Sequence, residues 1–124
     1  MKVILAETAG FCYGVARAVN LARETAKARG GAMLGSIVHN AGVVREIEDL
    51  GMRLITWPDQ AKAGETVLIR AHGEPRATLD ALRERGAEVV SAVCPHVERI
   101  RKLAQEAEHE GRRVILIRER HHPE

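Results

Sequence analysis

Short apolar runs alternate with longer amphipathic segments along almost the whole chain, and this alternation limits the possible folds more than any other feature. The short runs have the length of strands, whereas the longer segments repeat apolar residues with the spacing of one helix face. Strands that alternate with helices are typical of βαβ units, in which the strands are parallel. The sequence therefore predicts an α/β fold with a mainly parallel sheet. The predicted strands are residues 2–6, 32–38, 53–56, 66–71, 88–93 and 113–118, and the predicted helices are residues 14–29, 43–50, 75–85 and 95–110.

The composition is that of an ordinary packed protein and excludes several functional classes. The chain has 124 residues, of which 45% are hydrophobic and 29% are charged, so it is long enough for one domain with a core. The 19 basic and 17 acidic residues are scattered and give a net charge of +2, so we expect no nucleic-acid partner. No apolar stretch approaches the length of about 20 residues needed to span a bilayer, and no signal peptide is recognisable, so we expect a cytoplasmic protein without a membrane partner.

An internal repeat underlies the pattern. In both copies a cysteine, a helix, a glycine, a strand and a histidine follow one another, and Cys12 lies 27 residues before His39 while Cys94 lies 28 before His122. The common size of βαβ units could also produce this spacing by chance. If the repeat is real, residues 1–94 form a first α/β domain and residues 95–124 form the incomplete start of a second.

Five soft or titratable side chains follow predicted strands. In a parallel sheet, ligands bind beyond the carboxyl ends of the strands, where the next helices begin. Thiolates there suit a soft metal or an iron–sulfur cluster, and imidazoles near helix N-termini suit a phosphate or diphosphate. The sequence thus indicates a redox metal site that handles an anionic substrate. The five residues are Cys12, His39, His72, Cys94 and His122.

Each of these residues also has a simpler explanation. A cysteine in an α/β domain is often a small buried apolar residue, and a histidine after a strand is often bound to the loop backbone. Phe11 and Tyr13, which flank Cys12, could shield a redox centre or could simply pack in the core. Glu124 could supply a proton to a reductive step, or it could belong to a frayed terminus.

Several short motifs follow one another from the beginning of the chain to its end. They are Gly10-Phe11-Cys12-Tyr13-Gly14-Val15, Arg17-Ala18-Val19, Val38-His39-Asn40, Ala71-His72-Gly73, Val93-Cys94-Pro95 and His122-Pro123-Glu124. Any one of them is weak evidence, but in their order and spacing they together resemble the motifs of the LytB family of 4-hydroxy-3-methylbut-2-enyl diphosphate reductases, which act in the methylerythritol phosphate route to isoprenoids.

The resemblance implies an architecture and a cofactor. It implies three α/β domains around a pseudo-threefold axis, of which this chain would hold the first and the start of the second. It also implies a [4Fe–4S] cluster bound by one cysteine from each repeat, with Cys12 and Cys94 as two of the ligands. The implied reaction removes the substrate hydroxyl as water and yields isopentenyl and dimethylallyl diphosphate, with electrons from a ferredoxin or flavodoxin.

The resemblance also implies roles for the remaining residues. His39, His72 and His122 would bind the diphosphate, and Glu124 would help to deliver protons to the departing hydroxyl. The third cysteine of the family is absent from these 124 residues, so we expect the chain alone to be inactive. Two alternatives remain open: a non-catalytic α/β module that binds a phosphorylated ligand, and a truncated remnant with an adventitious zinc site at the two cysteines and one histidine.

Overall fold

The computed structural model describes residues 1–117, in which four parallel strands form one sheet with helices on both faces. A single turn of 3₁₀ helix at Pro58–Gln60 connects the second strand to the third. In chain order, the main elements are α1 (Tyr13–Arg29), β1 (Gly31–Leu34), α2 (Ala41–Asp49), β2 (Met52–Ile55), β3 (Thr66–Ile69), α3 (Arg76–Glu84), β4 (Glu88–Ser91) and α4 (Pro95–His109).

The strands lie in the order β2-β1-β3-β4, so β1 and β3 are central and bury both of their faces. Because successive side chains of a strand point to opposite faces, Met33 and Leu68 pack in the core layer under α1 and α2. Their neighbours Leu34 and Val67 pack in the second layer with Leu82 of α3. The sheet thus separates two cores, and the carboxyl ends of all four strands lie at one edge.

Gly31 lies at a close approach between β1 and its neighbour β3. Its φ of 136° lies in a region that favours glycine. A Cβ at this position would stand 2.3 Å from the backbone oxygen of Thr66, which is too close for any side chain. The absence of a side chain at Gly31 therefore permits the pairing of the two central strands.

The predicted α/β fold with a parallel sheet is confirmed, and each predicted helix is present with ends shifted by at most two residues. The predicted strands at 32–38, 53–56, 66–71 and 88–93 are also present, although each is only four residues long. The pseudo-threefold arrangement and the domain boundary at residue 94 stay predictions. Within residues 1–117, no helix combines the length and apolarity needed to cross a bilayer.

The predicted strand at residues 2–6 is wrong, and so is the described part of the predicted strand at 113–118. Neither segment pairs with a strand among residues 1–117, and their apolar side chains are exposed: Ile4 is 78% and Ile117 is 93% accessible. Apolarity alone predicted both strands, but a strand also needs a neighbour to bind its backbone N–H and C=O groups. The described residues offer these two segments no such neighbour.

Candidate functional site

Cys12 and Cys94 occupy equivalent positions in the fold. Each is the N-cap residue of a helix, α1 for Cys12 and α4 for Cys94, and neither side chain caps its helix through a hydrogen bond. The Cys12 side chain is exposed, while Cys94 is half-buried. A helix N-terminus carries a partial positive charge that stabilises a nearby anion, so both cysteines lie where a negatively charged ligand or cluster is favoured.

Gly14 brings the first turn of α1 against Cys94. A Cβ at Gly14 would lie 2.5 Å from the Cys94 Sγ and 3.0 Å from its Cβ, so only glycine allows this approach. Gly14 is two residues after Cys12, and the contact therefore places Cys94 beside the helical turn that follows Cys12. This contact links the segments that carry the two cysteines, and their sharing of one metal site stays a prediction.

We expect Gly14→Ala to push the first turn of α1 away from Cys94. The clash should destabilise the fold by roughly 1–3 kcal/mol, which outweighs the gain of about 1 kcal/mol in helix propensity. The Cys94 thiol should then react faster with an aromatic disulfide reagent. Gly42→Ala is the matched control, because Gly42 is likewise the second residue of its helix but has its nearest contact at 3.3 Å. Equal urea midpoints and thiol reactivities for the two variants would contradict the close packing.

Two hydrogen bonds fix the segment that precedes α4. The Cys94 N–H donates to the Ala71 backbone oxygen at 2.8 Å, which ties the cysteine to the loop that carries His72. From α1, the Arg17 Nη1 donates to the Val93 oxygen at 3.1 Å. The segment with Cys94 is therefore held both by the helix that follows Cys12 and by the loop after β3.

His39 and His72 stack on each other. Their ring centroids are 5.9 Å apart and the ring planes differ by 4°. His72 is buried with 7% exposure, while His39 is exposed. Both rings line a cavity of about 280 Å³ together with Phe11, Val15 and Ser36. The volume is near the lower end of the range for small-ligand sites.

The N-terminus of α2 forms part of the same cavity. Asn40, which also lines the cavity, caps the helix, and its side-chain oxygen accepts hydrogen bonds from the Gly42 and Val43 N–H groups at 3.1 and 3.2 Å. The cap fixes the position of His39, which directly precedes it. Imidazole donors beside a helix N-terminus form a suitable environment for an anionic group.

The structure therefore brings four of the predicted site residues to one edge of the sheet: Cys12, Cys94, His39 and His72. His122 and Glu124 lie outside the described residues. Phe11 and Tyr13 do not pack in the core, because they are 48% and 66% exposed, and Phe11 lines the cavity instead.

Sequence reasoning missed the residues that hold the site together. Gly14 and Arg17 stood in a recognised motif without an assigned role, although a glycine in the first turn of a helix indicates close packing. Arg101, which donates to the His72 oxygen, was not singled out. Its signal was its spacing, since a residue seven positions after Cys94 lies two turns further along the same helix face.

Two thiols alone do not complete a metal centre. Among residues 1–117, no group of three or more His, Cys, Asp and Glu side chains is arranged to hold a metal ion. The two cysteines nevertheless suit part of an iron–sulfur site, since both are soft donors at helix N-termini and neither thiol is used in a cap. A cluster bound here would need further ligands from outside residues 1–117.

The fold and the site define a parallel α/β domain with two cysteines at helix N-termini and a stacked histidine pair at the carboxyl edge of the sheet. The model of the LytB protein family matches residues 3–124, and the chain belongs to this family. The predicted family resemblance is thereby confirmed.

Similar proteins carry the name 4-hydroxy-3-methylbut-2-enyl diphosphate reductase. The protein from Aquifex aeolicus is 42% identical over 129 residues, and that from Oleidesulfovibrio alaskensis is 43% identical over 126 residues. A solved (E)-4-hydroxy-3-methyl-but-2-enyl diphosphate reductase, described as the terminal enzyme of the non-mevalonate pathway, superimposes with a TM-score of 0.83 at 41% identity over 98% of this chain. The E-1-hydroxy-2-methyl-but-2-enyl-4-diphosphate reductase of Plasmodium falciparum superimposes with a TM-score of 0.87 at 26% identity over 94% of this chain.

The chain spans less than half of these relatives. All of it aligns with the two bacterial proteins, but it covers 43% of the Aquifex aeolicus protein and 45% of the Oleidesulfovibrio alaskensis protein. It likewise covers 43% and 37% of the two solved chains. The match corresponds to an N-terminal portion of the family's proteins.

Proposed function

We propose that this chain supplies the N-terminal part of a 4-hydroxy-3-methylbut-2-enyl diphosphate reductase, acting in the cytoplasm in the methylerythritol phosphate pathway. The observation that carries the proposal is the packing of Cys94 against the first turn of α1, two residues from Cys12. Two thiols and a histidine pair thereby share one edge of the sheet, and the relatives' names supply the reaction.

We assign Cys12 and Cys94 to a [4Fe–4S] cluster, with the third thiolate supplied from outside this sequence. Such a cluster would supply single electrons and an iron with an open position for the substrate oxygen. The chain's own contribution is to hold its two thiols at the N-termini of α1 and α4, which pack against each other at Gly14. Ferredoxin or flavodoxin is the proposed electron donor.

The substrate's diphosphate would bind at the histidine pair. His39 and His72 can donate N–H groups into the cavity, where Asn40 and the start of α2 add a favourable environment for negative charge. His72 keeps its place because the adjacent Ala71 oxygen accepts the Cys94 N–H. We also propose that His122 is a third ligand of the diphosphate and that Glu124 is a proton source.

A chimaera tests this function. Residues 1–124 replace the corresponding N-terminal part of the Aquifex aeolicus reductase, and the product is reconstituted with iron and sulfide without oxygen. We expect about four irons per chain and reduction of the named diphosphate to isopentenyl and dimethylallyl diphosphate. The 124-residue chain alone, treated in the same way, is the control and should show no turnover.

The alternatives predict different outcomes. A phosphate-binding module would give a chimaera that binds inorganic diphosphate but holds no iron and reduces nothing. An adventitious zinc site would give stoichiometric zinc in the aerobically purified 124-residue chain, lost when either cysteine is replaced by serine. Either result, together with an inactive chimaera, would overturn the proposed reductase function.

A further inference from the structure

Arg101 connects helix α4 to the loop that carries His72. Its Nη2 donates to the His72 backbone oxygen at 2.6 Å, a short distance for an N–H···O bond and typical of a charged donor. Arg101 lies seven residues after Cys94, which places it about 10 Å further along α4. The same helix therefore presents a thiol at its N-terminus and a guanidinium to the histidine loop two turns later.

The next residue in the loop leaves room for this side chain. Gly73 has a φ of 79°, and a Cβ there would lie 2.4 Å from the Arg101 Nη1. The Gly73 N–H donates to the Arg70 oxygen at 2.9 Å, which closes the turn after β3. The loop is thus held by its own turn and by one side chain from α4.

We propose that Arg101 is a positioning residue for anion binding: it acts through the His72 backbone to keep the His72 ring stacked on His39 and turned to the cavity. The inference rests on the proposed function only in taking the bound group to be a diphosphate. Two hydrogen bonds from the α4 segment hold the loop at consecutive backbone oxygens. The Cys94 N–H donates to the Ala71 oxygen, and Arg101 donates to the His72 oxygen. Removing Arg101 leaves the thiol end of α4 in place but frees the histidine end of the loop.

The test compares Arg101→Ala with Arg99→Ala in the chimaera. Arg99 is an exposed residue of the same helix, so its variant removes the same charge without touching the loop. We expect Arg101→Ala to weaken the binding of inorganic diphosphate about tenfold and to raise KM similarly. Without the hydrogen bond from Arg101 to the His72 oxygen, the loop must be ordered when diphosphate binds, which costs roughly the free energy of that bond. Arg99→Ala should bind normally, and kcat and iron content should stay unchanged in both variants. Arg101→Lys, which retains a donor, should recover part of the affinity.

A second measurement separates this inference from the proposed function. The Gly73 amide reports opening of the loop, so its hydrogen exchange in the 124-residue chain should speed up in Arg101→Ala and not in Arg99→Ala. Faster exchange with an inactive chimaera would retain the role of Arg101 and reject the reductase function. Unchanged exchange, a diphosphate affinity equal to that of Arg99→Ala, or a loss of iron in place of affinity would each overturn the inference.

Discussion

Replacing Cys94 by serine in the chimaera is expected to lower the rate of diphosphate reduction about 100-fold or more and to reduce the bound iron. Serine keeps the shape of the side chain but offers a poor ligand for a soft metal. Replacing a residue that only hydrogen-bonds to a metal ligand typically lowers metal affinity or activity about 10–100-fold, so replacing a direct ligand should lower them at least as much. Turnover and iron per chain, measured on anaerobically reconstituted protein, check the prediction.

His96→Ala is the control for this substitution. His96 lies in the first turn of α4, two residues from Cys94, and its side chain is exposed. It should therefore leave the iron content and the rate near their starting values. If Cys94→Ser retained iron and activity, or if His96→Ala lost both to the same extent, Cys94 would not be a ligand and the proposed cluster site would be wrong.

Replacing Gly31 by alanine is expected to destabilise the chain by roughly 2–5 kcal/mol, a large share of the stability of a domain of this size. The added Cβ would meet the Thr66 oxygen at 2.3 Å, and the φ of 136° would remain unfavourable for alanine. Because the added Cβ is fixed to the β1 backbone and meets a backbone oxygen of β3, no side-chain rotation can relieve the clash, and β1 and β3 must move apart. Urea denaturation followed by circular dichroism measures the loss.

The Gly51→Ala variant separates the cost of an unfavourable backbone conformation from the cost of a steric clash. Gly51 also has a positive φ, 104°, but a Cβ there would meet nothing within 4 Å. Its variant should therefore lose only about 1–2 kcal/mol, the cost of the backbone conformation. The difference between the two variants measures the close approach of the central strands, and equal losses would show that the strands can move apart at little cost.

The order of the helices and of the central strands was predictable from the sequence because it depends on local patterns. The helix from Pro95 was predicted from a proline at its first position and a regular apolar repeat, and it begins at that residue. The segments at 2–6 and 113–118 are as apolar as the segments that form β1 to β4, yet residues 2–6 and 113–117 form no strand. A strand depends on a partner elsewhere in the chain, and local apolarity does not reveal whether one is present.

The candidate site likewise has a part that was predictable from the sequence and a part that was not. That His39, His72 and Cys94 share one edge follows from the sequence alone, since each comes after a strand of the parallel sheet. Cys12 was placed at this edge by the strand predicted at residues 2–6, which is wrong, and its position depends instead on the packing of Gly14 in α1 against Cys94. The side chains that hold them in place could not be predicted so simply. Gly14 and Arg101 act through contacts with residues far from them in the chain, and no local pattern reports such contacts.

The sequence by itself determined the α/β class, the family and the edge of the sheet at which the chemistry lies, because periodicity, motif order and strand ends are local properties of the chain. Only the tertiary structure decided which side chains touch. Three contacts depend on the distance between elements: Cys94 packs on α1, His39 stacks on His72, and Arg101 donates to the His72 backbone oxygen. That distance is set by the close packing of the whole core, to which residues throughout the chain contribute.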